Sequence, residues 1–409
     1  MPMAANNVSA TCVIAGGGPA GMMLGYLLAR AGVEVAVLEK HADFLRDFRG
    51  DTIHPSTLEI MRELGLLEEF LKLPHQEVRN LTAQLGPLDL TLADFSHVPT
   101  HCKFIAMMPQ WDFLNFLVGQ AARYPAFHLL METEATDLIE EGGGIVGLRA
   151  RTKDGVLDAR ADLVVAADGR HSVLRERAGM RIEEYGAPMD VLWFRLSRSP
   201  GDTAQTMGRF DRGRIVVTIN RGDYWQCGYV IAKGQNEQIR REGLAAFRER
   251  VARGAPHVSA HVNELVDWNQ MKLLTVQVDR LAEWSRSGFL CIGDAAHAMS
   301  PVGGVGINLA IQDAVAAANL LVTPLKEKCL TPEHLRSVQR RREFPTRATQ
   351  WLQLAVQRRV IAPALDSAAA FNPPLLLRLM AKSQTLRRIP ARLIGVGVRP
   401  EHVSAAILS

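Results

Sequence analysis

The chain has 409 residues, of which 47% are hydrophobic and 22% are charged, and its formal net charge is +4. These values are ordinary for a globular protein with a sizeable core, so they exclude a disordered chain and give no reason to expect a nucleic-acid partner. The five cysteines form no C-x-x-C pair, which predicts reduced thiols, a cytoplasmic location and no metal site.

Residues 1–10 lack the basic and apolar segments of a signal peptide, and no stretch reaches the roughly 18 apolar residues of a membrane span. We therefore expect no integral membrane segment.

The first predicted elements are a strand, a glycine-rich loop, a helix and a second strand. Apolar runs at 11–15 and 33–38 predict buried parallel strands, and residues 22–31 predict a helix. The loop has the pattern G-x-G-x-x-G and contains Gly16, Gly18, Pro19, Ala20 and Gly21. Its glycines permit a tight turn, the approach of a pyrophosphate and close packing of helix on strand. The positive end of the helix dipole favours the phosphates.

An acidic residue follows the second strand. Glu39 lies 18 residues after Gly21, where a carboxylate can accept hydrogen bonds from a ribose diol. A 2′-phosphate would meet this negative charge, so the pattern favours FAD or NAD over NADP, with Lys40 beside the nucleotide.

A second G-x-G-x-x-G match, at 142–147, has a different context. The flanking residues 136–140 and 148–152 alternate with period two and no helix follows, so we interpret the match as a hairpin turn.

Two later segments place Gly and Asp at the ends of buried strands. Residues 161–167 predict a strand that turns at Asp168 into a helix capped by Ser172. Residues 288–292 predict another strand, which ends at Gly293-Asp294 and runs through a glycine-rich turn into an apolar helix.

These three motifs resemble those of the single-component flavoprotein hydroxylases typified by para-hydroxybenzoate hydroxylase. That family carries G-x-G-x-x-G, D-G-x-x-S-x-x-R and G-D-A-A-H…P…G-x-G-x-N in this order, and the resemblance covers residues 11–321. It implies an α/β fold in which a Rossmann-type FAD-binding domain is interleaved with an antiparallel-sheet substrate domain, with C-terminal helices. It also implies non-covalent FAD that NAD(P)H reduces, and a flavin C4a-hydroperoxide that hydroxylates an aromatic substrate with an oxygen atom from O2.

The resemblance also implies roles for individual residues. Asp294 would bind ribityl hydroxyls, Gln110 would lie near the ribityl chain, and the N–H groups of 303–308 would face negative charge on the reduced ring. Arg49, near the pyrophosphate and the nicotinamide, and Pro301, beside the isoalloxazine ring, are the candidate catalytic residues. The candidate cofactor-binding residues are Gly16, Gly18, Pro19, Ala20, Gly21, Glu39, Lys40, Arg49, Gln110, Asp168, Gly293, Asp294, Pro301, Gly304, Gly306, Ile307 and Asn308.

No second dinucleotide loop has the correct context, so NAD(P)H is expected to use a surface shared with the flavin. Arg49, Arg170 and Arg175 are the candidates for this surface, because each belongs to or adjoins a motif of the family.

The intervening segments predict a different kind of sheet. The expected domains are the FAD-binding domain at 1–75, 100–180 and 280–325, the substrate domain at 76–99 and 181–279, and a helical region at 326–409. Runs at 191–196, 214–219 and 225–231 alternate like antiparallel strands. Aromatic candidates for the substrate pocket are Trp193, Phe194, Tyr224 and Trp225.

The C-terminal region is basic. From Thr331 to Ser409 it carries 13 Lys and Arg against 4 Asp and Glu, which suits peripheral contact with an acidic or membrane surface. The sequence leaves open whether the protein is a monomer or a homodimer.

Several chemistries fit these motifs. Hydroxylation of a phenolic or polycyclic aromatic molecule is the main hypothesis, with a substrate-activating base left open among His54, His101 and His297. Baeyer–Villiger oxidation, epoxidation, antibiotic modification, an isoprenoid-reducing flavin reductase and a redox-responsive flavin protein without turnover are the alternatives.

Overall fold

The computed structural model of the protein describes residues 7–45, 52–86, 88–199, 201–202, 207–366, 374, 377–379 and 383–408. Its strands are β1 (Asn7–Ala15), β2 (Val35–Leu38), β3 (Thr52–Ile53), β4 (Gln76–Val78), β5 (Asn80–Leu85), β6 (Leu88–Asp94), β7 (Ile105–Met107), β8 (Phe127–Leu130), β9 (Glu134–Glu141), β10 (Gly144–Thr152), β11 (Gly155–Ala166), β12 (Ile182–Glu184), β13 (Met189–Ser197), β14 (Met207–Asp211), β15 (Arg214–Asn220), β16 (Tyr224–Ala232), β17 (Lys272–Leu274), β18 (Asp279–Leu281), β19 (Ser285–Arg286) and β20 (Phe289–Cys291).

The helices are α1 (Pro19–Arg30), α2 (Pro55–Glu63), α3 (Leu67–Phe70), α4 (Gln110–Ala121), α5 (Val173–Arg177), α6 (Asn236–Glu242), α7 (Leu244–Gly254), α8 (Gly306–Lys326), α9 (Pro332–Val356) and α10 (Ala362–Asp366), followed by Gln384–Gly395 and Ala405–Leu408. Short 3-10 segments lie at Phe95–His97, Pro256–Glu264, Trp268–Gln270, Gly293–Ala295 and Val302–Gly304, and a π-helical turn, Gln357–Ile361, joins α9 to α10.

A mainly parallel sheet carries the glycine-rich loop. Its strand order is β19-β20-β11-β1-β2-β8, and β20, β11, β1, β2 and β8 run parallel. Ala15, which ends β1, pairs with Ala166 of β11 and with Leu38 of β2. The three strands therefore end at one level, and the loops that follow them leave the sheet along one edge, where ligands of open α/β sheets bind.

The hairpin predicted around the second glycine-rich match is confirmed. Strands β9 and β10 pair antiparallel, with Glu141 opposite Gly144, and β10 continues the sheet from β11. Gly142 and Gly143 both have positive φ angles in the turn, a conformation that glycine adopts without steric cost.

A second sheet, of order β17-β13-β16-β15-β14-β5-β6, contains the strands predicted from the alternating segments. It is antiparallel except where β14 pairs parallel with β5. One side, here called the rear face, packs against α7 through residues such as Phe194, Trp225 and Phe247. The opposite side, the front face, packs its Val191 and Val230 against the segment 356–365. The predicted α/β architecture, with two kinds of sheet and C-terminal helices, is therefore observed.

Helix α8 runs through the core behind the parallel sheet. Contrary to the expectation that no stretch is apolar over a sufficient length, the segment Val302–Lys326 is long and apolar enough to cross a membrane, but 72% of its apolar window is buried within the protein. Burial of this kind is typical of a core helix, and α8 packs against α1 and α9.

Candidate functional site

The three glycine-containing motifs meet at the carboxyl edge of the parallel sheet. A Cβ atom added to Gly16 would lie 2.4 Å from the carbonyl oxygen of Ala167, in the second motif. A Cβ atom added to Gly293, in the third motif, would lie 3.2 Å from the Cβ of Ala20, in the first. Backbones this close tolerate no larger side chain, so the loops of all three motifs form one surface.

The N-terminus of α1 is built to receive an anion. Gly18 is its N-cap and Pro19 its first residue, and no side chain caps the helix. A Cβ atom added to Gly18 would meet no atom within 4 Å, whereas one added to Gly21 would lie 2.0 Å from the carbonyl oxygen of Gly16. Gly21 is thus required for packing, while the space beside Gly18 and the uncapped N–H groups fit a pyrophosphate.

Glu39 is fixed by the loop that it adjoins. Its Oε2 accepts a hydrogen bond from the N–H of Gly17 at 3.1 Å, and its Oε1 accepts one from His41 at 3.0 Å. The side chain is buried at 9% exposure, while Lys40 is exposed. Each carboxylate oxygen can accept more than one hydrogen bond, so the position of Glu39 is compatible with a ribose at this edge.

Asp168 brings a carboxylate to the same edge. Its Oδ2 accepts a weak hydrogen bond from the N–H of Leu174 at 3.4 Å, and its Oδ1 is buried without a partner. Burial raises the pKa of Asp168, although hydrogen bonds from Ser172 and nearby N–H groups act in the opposite direction. An unpartnered buried oxygen fits a ligand that donates a hydrogen bond here.

Two arginines of the second motif have different positions. Arg170 is half-buried, 3.4 Å from the carboxylate of Asp294. Arg175 is buried at 6% exposure and donates to the carbonyl oxygens of Ala295, at 3.0 Å, and Arg170, at 2.7 Å. The expectation that Arg175 lies on a nicotinamide-binding surface is therefore wrong, because its guanidinium is used inside the protein to join the second and third motifs.

The turn before α8 is shaped by two glycines with φ angles of +79° (Gly303) and +64° (Gly304). A Cβ atom on Gly304 would lie 2.6 Å from Oγ1 of Thr52, which donates to the carbonyl oxygen of Gly304 at 2.8 Å. No side chain caps α8, whose first residues are Gly306 and Ile307. The N–H groups of its first turn can therefore serve the negatively charged edge of a ligand.

The side chain of Asn308 has a structural function. Its Oδ1 accepts from the N–H of His54 and from Oγ1 of Thr57, both at 2.8 Å, and its Nδ2 donates to the carbonyl oxygen of Thr52 at 3.1 Å. These bonds tie β3 and α2 to the turn, so a direct ligand contact of Asn308 is left to its backbone N–H.

Of the other cofactor candidates, Gln110 is half-buried and begins α4, and Pro301 precedes the Val302–Gly304 turn. Arg49 lies outside the described residues. No cluster of His, Cys, Asp or Glu side chains among the described residues could hold a metal ion.

A buried network of charged side chains, centred on Asp313, binds the third motif from the side of α8. Asp313 of α8 accepts hydrogen bonds from the N–H of Gly293 at 3.1 Å, from His297 at 2.6 Å and from Nε of Arg342 at 2.9 Å. Arg342 also lies 3.2 Å from the carboxylate of Glu401. Burial alone would raise the pKa of Asp313, but His297 and Arg342 together hold it below its ordinary value. Sequence reasoning missed this network, although a lone acid in an apolar helix was a signal for it.

The aromatic candidates for the substrate pocket lie on different faces of the second sheet. Trp193 is on the front face, in contact with the apolar clusters that contain Val302 and Ile394, and its Nε1 is buried without a partner. Tyr224 is at the end of β16, with the guanidinium of Arg195 3.7 Å from its ring centre.

Trp225 and Phe194 are fully buried on the rear face. Strand residues alternate between faces and the turn of the third motif meets the front face, so a pocket on the front face would not include these two side chains.

The three candidate bases have different surroundings in the structure. His101 is exposed, and Nε2 of His297 is bound to Asp313. His54 is fully buried, Nδ1 lies 2.8 Å from the carbonyl oxygen of Ile394, and Nε2 has no partner. Burial lowers the pKa of His54 to about 4, against a smaller effect of the Ile394 carbonyl, so this imidazole is neutral at pH 7.

Known proteins resemble this chain over most of its length. A family model described as an FAD binding domain matches residues 9–352. A 6-methylpretetramide 4-monooxygenase of Streptomyces rimosus is 32% identical over 384 residues, which cover 92% of this chain and 91% of that protein. An uncharacterized aromatic compound monooxygenase of Bacillus subtilis is 26% identical over 77% of this chain and 62% of its own length.

The fold also matches a solved structure. A probable FAD-dependent monooxygenase of Pseudomonas aeruginosa, pqsL, superposes with a TM-score of 0.74 at 22% identity, over 87% of this chain and 98% of that one. The family model and the first relative decide the family, and the geometry of the three motifs agrees with them. The chain belongs to the FAD-binding family of para-hydroxybenzoate hydroxylase-like flavin monooxygenases and is an oxidoreductase.

Proposed function

We propose that this enzyme hydroxylates a phenolic or polycyclic aromatic molecule with NAD(P)H and O2, using FAD held non-covalently. The observation that carries the proposal is the convergence of Gly16, Asp168 and Gly293 at one edge of the parallel sheet, in a chain 32% identical to a 6-methylpretetramide 4-monooxygenase. The name of that relative favours a polycyclic aromatic substrate.

The residues present fit FAD at this edge. The uncapped N-terminus of α1 would hold the pyrophosphate, Glu39 the ribose, and Asp294 and Gln110 the ribityl chain. The first turn of α8, from Gly304 to Asn308, would stabilise negative charge on the reduced ring. When bound, FAD supplies the redox chemistry, because it takes a hydride from NAD(P)H and activates O2.

The protein's own part in the reaction is orientation and exclusion of water. Pro301 and Val302 would form the flavin-side wall of the substrate pocket, and Trp193 on the front face would form the opposite wall. Apolar walls on both sides keep water from the reacting centre. No side-chain nucleophile is required.

The nicotinamide has a less defined place. Arg49 remains a candidate, and Arg170 is half-exposed beside Asp294 at the mouth of the site. A cytoplasmic monomer or homodimer remains our expectation. The stripe Arg336, Arg340 and Arg347 of α9, which is exposed, is the part of the basic region suited to a membrane or acidic surface.

The test is isotopic. We expect slow NAD(P)H oxidation by the holoenzyme alone, and oxidation at least about tenfold faster with a productive aromatic compound, because substrate binding favours the reactive state. The product should gain one oxygen atom from labelled dioxygen and none from labelled water.

Label from water would overturn the proposal. Reduction of an isoprenoid without oxygen uptake would instead support the reductase. Insertion of an oxygen atom into a carbon–carbon bond of the substrate would support the Baeyer–Villiger alternative. An absence of turnover with every aromatic compound tested would support a redox-responsive flavin protein.

A further inference from the structure

Helix α9 and the π-helical turn that follows it present a row of glutamines to the third motif. Gln350, Gln353 and Gln357 have the spacing i, i+3, i+7 that places them on one side of a helix, and their exposures are 2%, 3% and 0%. Glutamine is rarely so buried unless its amide is bonded, so this row has defined partners.

The partners of Gln353 and Gln357 belong to Ser300 and Val302, on either side of Pro301. Gln353 accepts from the N–H of Ser300 at 3.1 Å, and its Nε2 donates to the carbonyl oxygens of Ser300 and Val302, both at 2.9 Å. Gln357 donates to Oγ of Ser300 at 2.6 Å, and that hydroxyl accepts from the N–H of Val302 at 3.3 Å. Pro301 has no N–H of its own, so the two glutamines hold the turn on both sides of it.

The helix changes its winding at this point. The π-helical turn Gln357–Ile361 begins at the glutamine that binds Oγ of Ser300. Such turns occur frequently at functional sites. The turn lets Gln357 face Ser300 while Ile361 packs with Val191 and Trp193 on the front face. One helix therefore holds both walls of the proposed pocket.

The arrangement is not optimal for stability alone. Oε1 of Gln357 is buried and has no partner, and a buried acceptor without a partner destabilises the folded state. A methionine or leucine of similar volume would avoid that cost but could not bind Ser300.

We infer that Gln353 and Gln357 are positioning residues, which set the height of the Pro301 turn above the front face and thereby the surroundings of the flavin ring. The link between these glutamines and oxygen transfer rests on the proposed function. Their effect on the turn and on bound FAD does not rest on it.

The experiment compares Gln353→Met with Gln339→Met in the full-length holoenzyme. Gln339 is a matched control on the same helix, because its amide accepts from the N–H of Trp284 at 3.0 Å and donates to the carbonyl oxygen of Ala282 at 2.9 Å, away from Pro301. Amide hydrogen exchange, the visible circular dichroism of bound FAD and the share of NAD(P)H oxidation that appears as hydrogen peroxide are measured for both.

We expect Gln353→Met to accelerate amide exchange at Ser300 by at least about tenfold, since the N–H of Ser300 loses its acceptor, and to change the flavin dichroism. Gln339→Met should accelerate exchange only near residues 282–286 and leave the flavin spectrum as in the wild type. With a productive substrate, the peroxide share should rise at least about threefold in Gln353→Met, because the wall that excludes water is displaced.

Equal spectra in Gln353→Met and the wild type, or equal spectral changes in both variants, would overturn the inference. Altered exchange and dichroism with no aromatic substrate found would leave the positioning role standing and count against the proposed function. If Gln353→Met does not fold, Gln357→Met, which removes one hydrogen bond to Ser300, is judged by the same criteria.

Discussion

Replacing Arg342 by methionine should destabilise the protein far more than the same change at its neighbour. Arg342 and Asp313 are both 0% exposed and 2.9 Å apart, and Glu401, 3.2 Å from Arg342, is 3% exposed. Arg342→Met leaves these two carboxylates buried without this cation. Breaking a buried pair by removing one partner costs about 3–5 kcal/mol.

Arg341→Met is the control. Arg341 binds the same Glu401 at 2.8 Å, but its side chain is 36% exposed, so water and salt screen this charge and its removal should cost less than that of Arg342. The two variants remove the same charge and nearly the same volume from adjacent positions, so the difference between them reports the burial of Arg342 together with its additional bond to Asp313.

The assay is unfolding in guanidinium chloride at pH 7, followed by far-ultraviolet circular dichroism at a fixed FAD concentration. The double variant Arg342→Met/Asp313→Asn should lose less than the sum of the single changes, by about 0.5–3 kcal/mol, because the two residues interact directly. Equal unfolding midpoints for Arg342→Met and Arg341→Met would refute the reasoning, as would strict additivity in the double variant.

Two further outcomes are expected. Glu39→Ala should weaken FAD binding by about 1.5–3 kcal/mol through loss of charge-assisted hydrogen bonds, whereas Lys40→Ala, at an exposed position, should change the affinity little. Fluorescence titration of the apoprotein with FAD measures both affinities, and equal values would mean that the ribose is held elsewhere. Because burial lowers the pKa of His54 to about 4, only the unfolded chain takes up this proton between pH 6.5 and 4, so the free energy of unfolding should fall with pH in that window by roughly 3 kcal/mol. His54→Gln should flatten that fall, and an unchanged pH dependence in the variant would exclude His54 as its source.

The cofactor edge could be predicted from the sequence because its determinants are local. Gly16, Asp168 and Gly293 each follow the end of a strand of the parallel sheet within two residues, and each begins a loop that leads into a helix. The backbone contacts that bring these motifs together follow from a parallel sheet, whose strands end at one edge.

The substrate side could not be predicted in the same way. Alternation along β13 and β16 shows that Trp193 and Trp225 occupy definite faces, but which face meets the Pro301 turn depends on helices far away in sequence. The two tryptophans are equally apolar, so composition does not distinguish the pocket wall from the core.

The supporting residues were missed for another reason. Arginines dominate the composition of α9 and suggested contact with an acidic or membrane surface, while Gln353 of α9 and Gln357 of the following turn were uninformative until their partners at Ser300 were known. Arg175 was assigned to a nicotinamide-binding surface because it ends the second motif, but its guanidinium is buried against the carbonyl oxygens of Ala295 and Arg170.

The position of β1 in the parallel sheet has a consequence for biosynthesis. Asn7 pairs with Asp158 and Ala15 with Ala166, so the innermost strand is made about 150 residues before its neighbour β11. At about 5–20 residues per second, a ribosome needs roughly 8–30 s to supply that neighbour. During this interval the apolar strand has one open hydrogen-bonding edge, which is a template for pairing with other chains. A chaperone that covers this edge during synthesis should therefore raise the yield of folded enzyme without any change in its final stability.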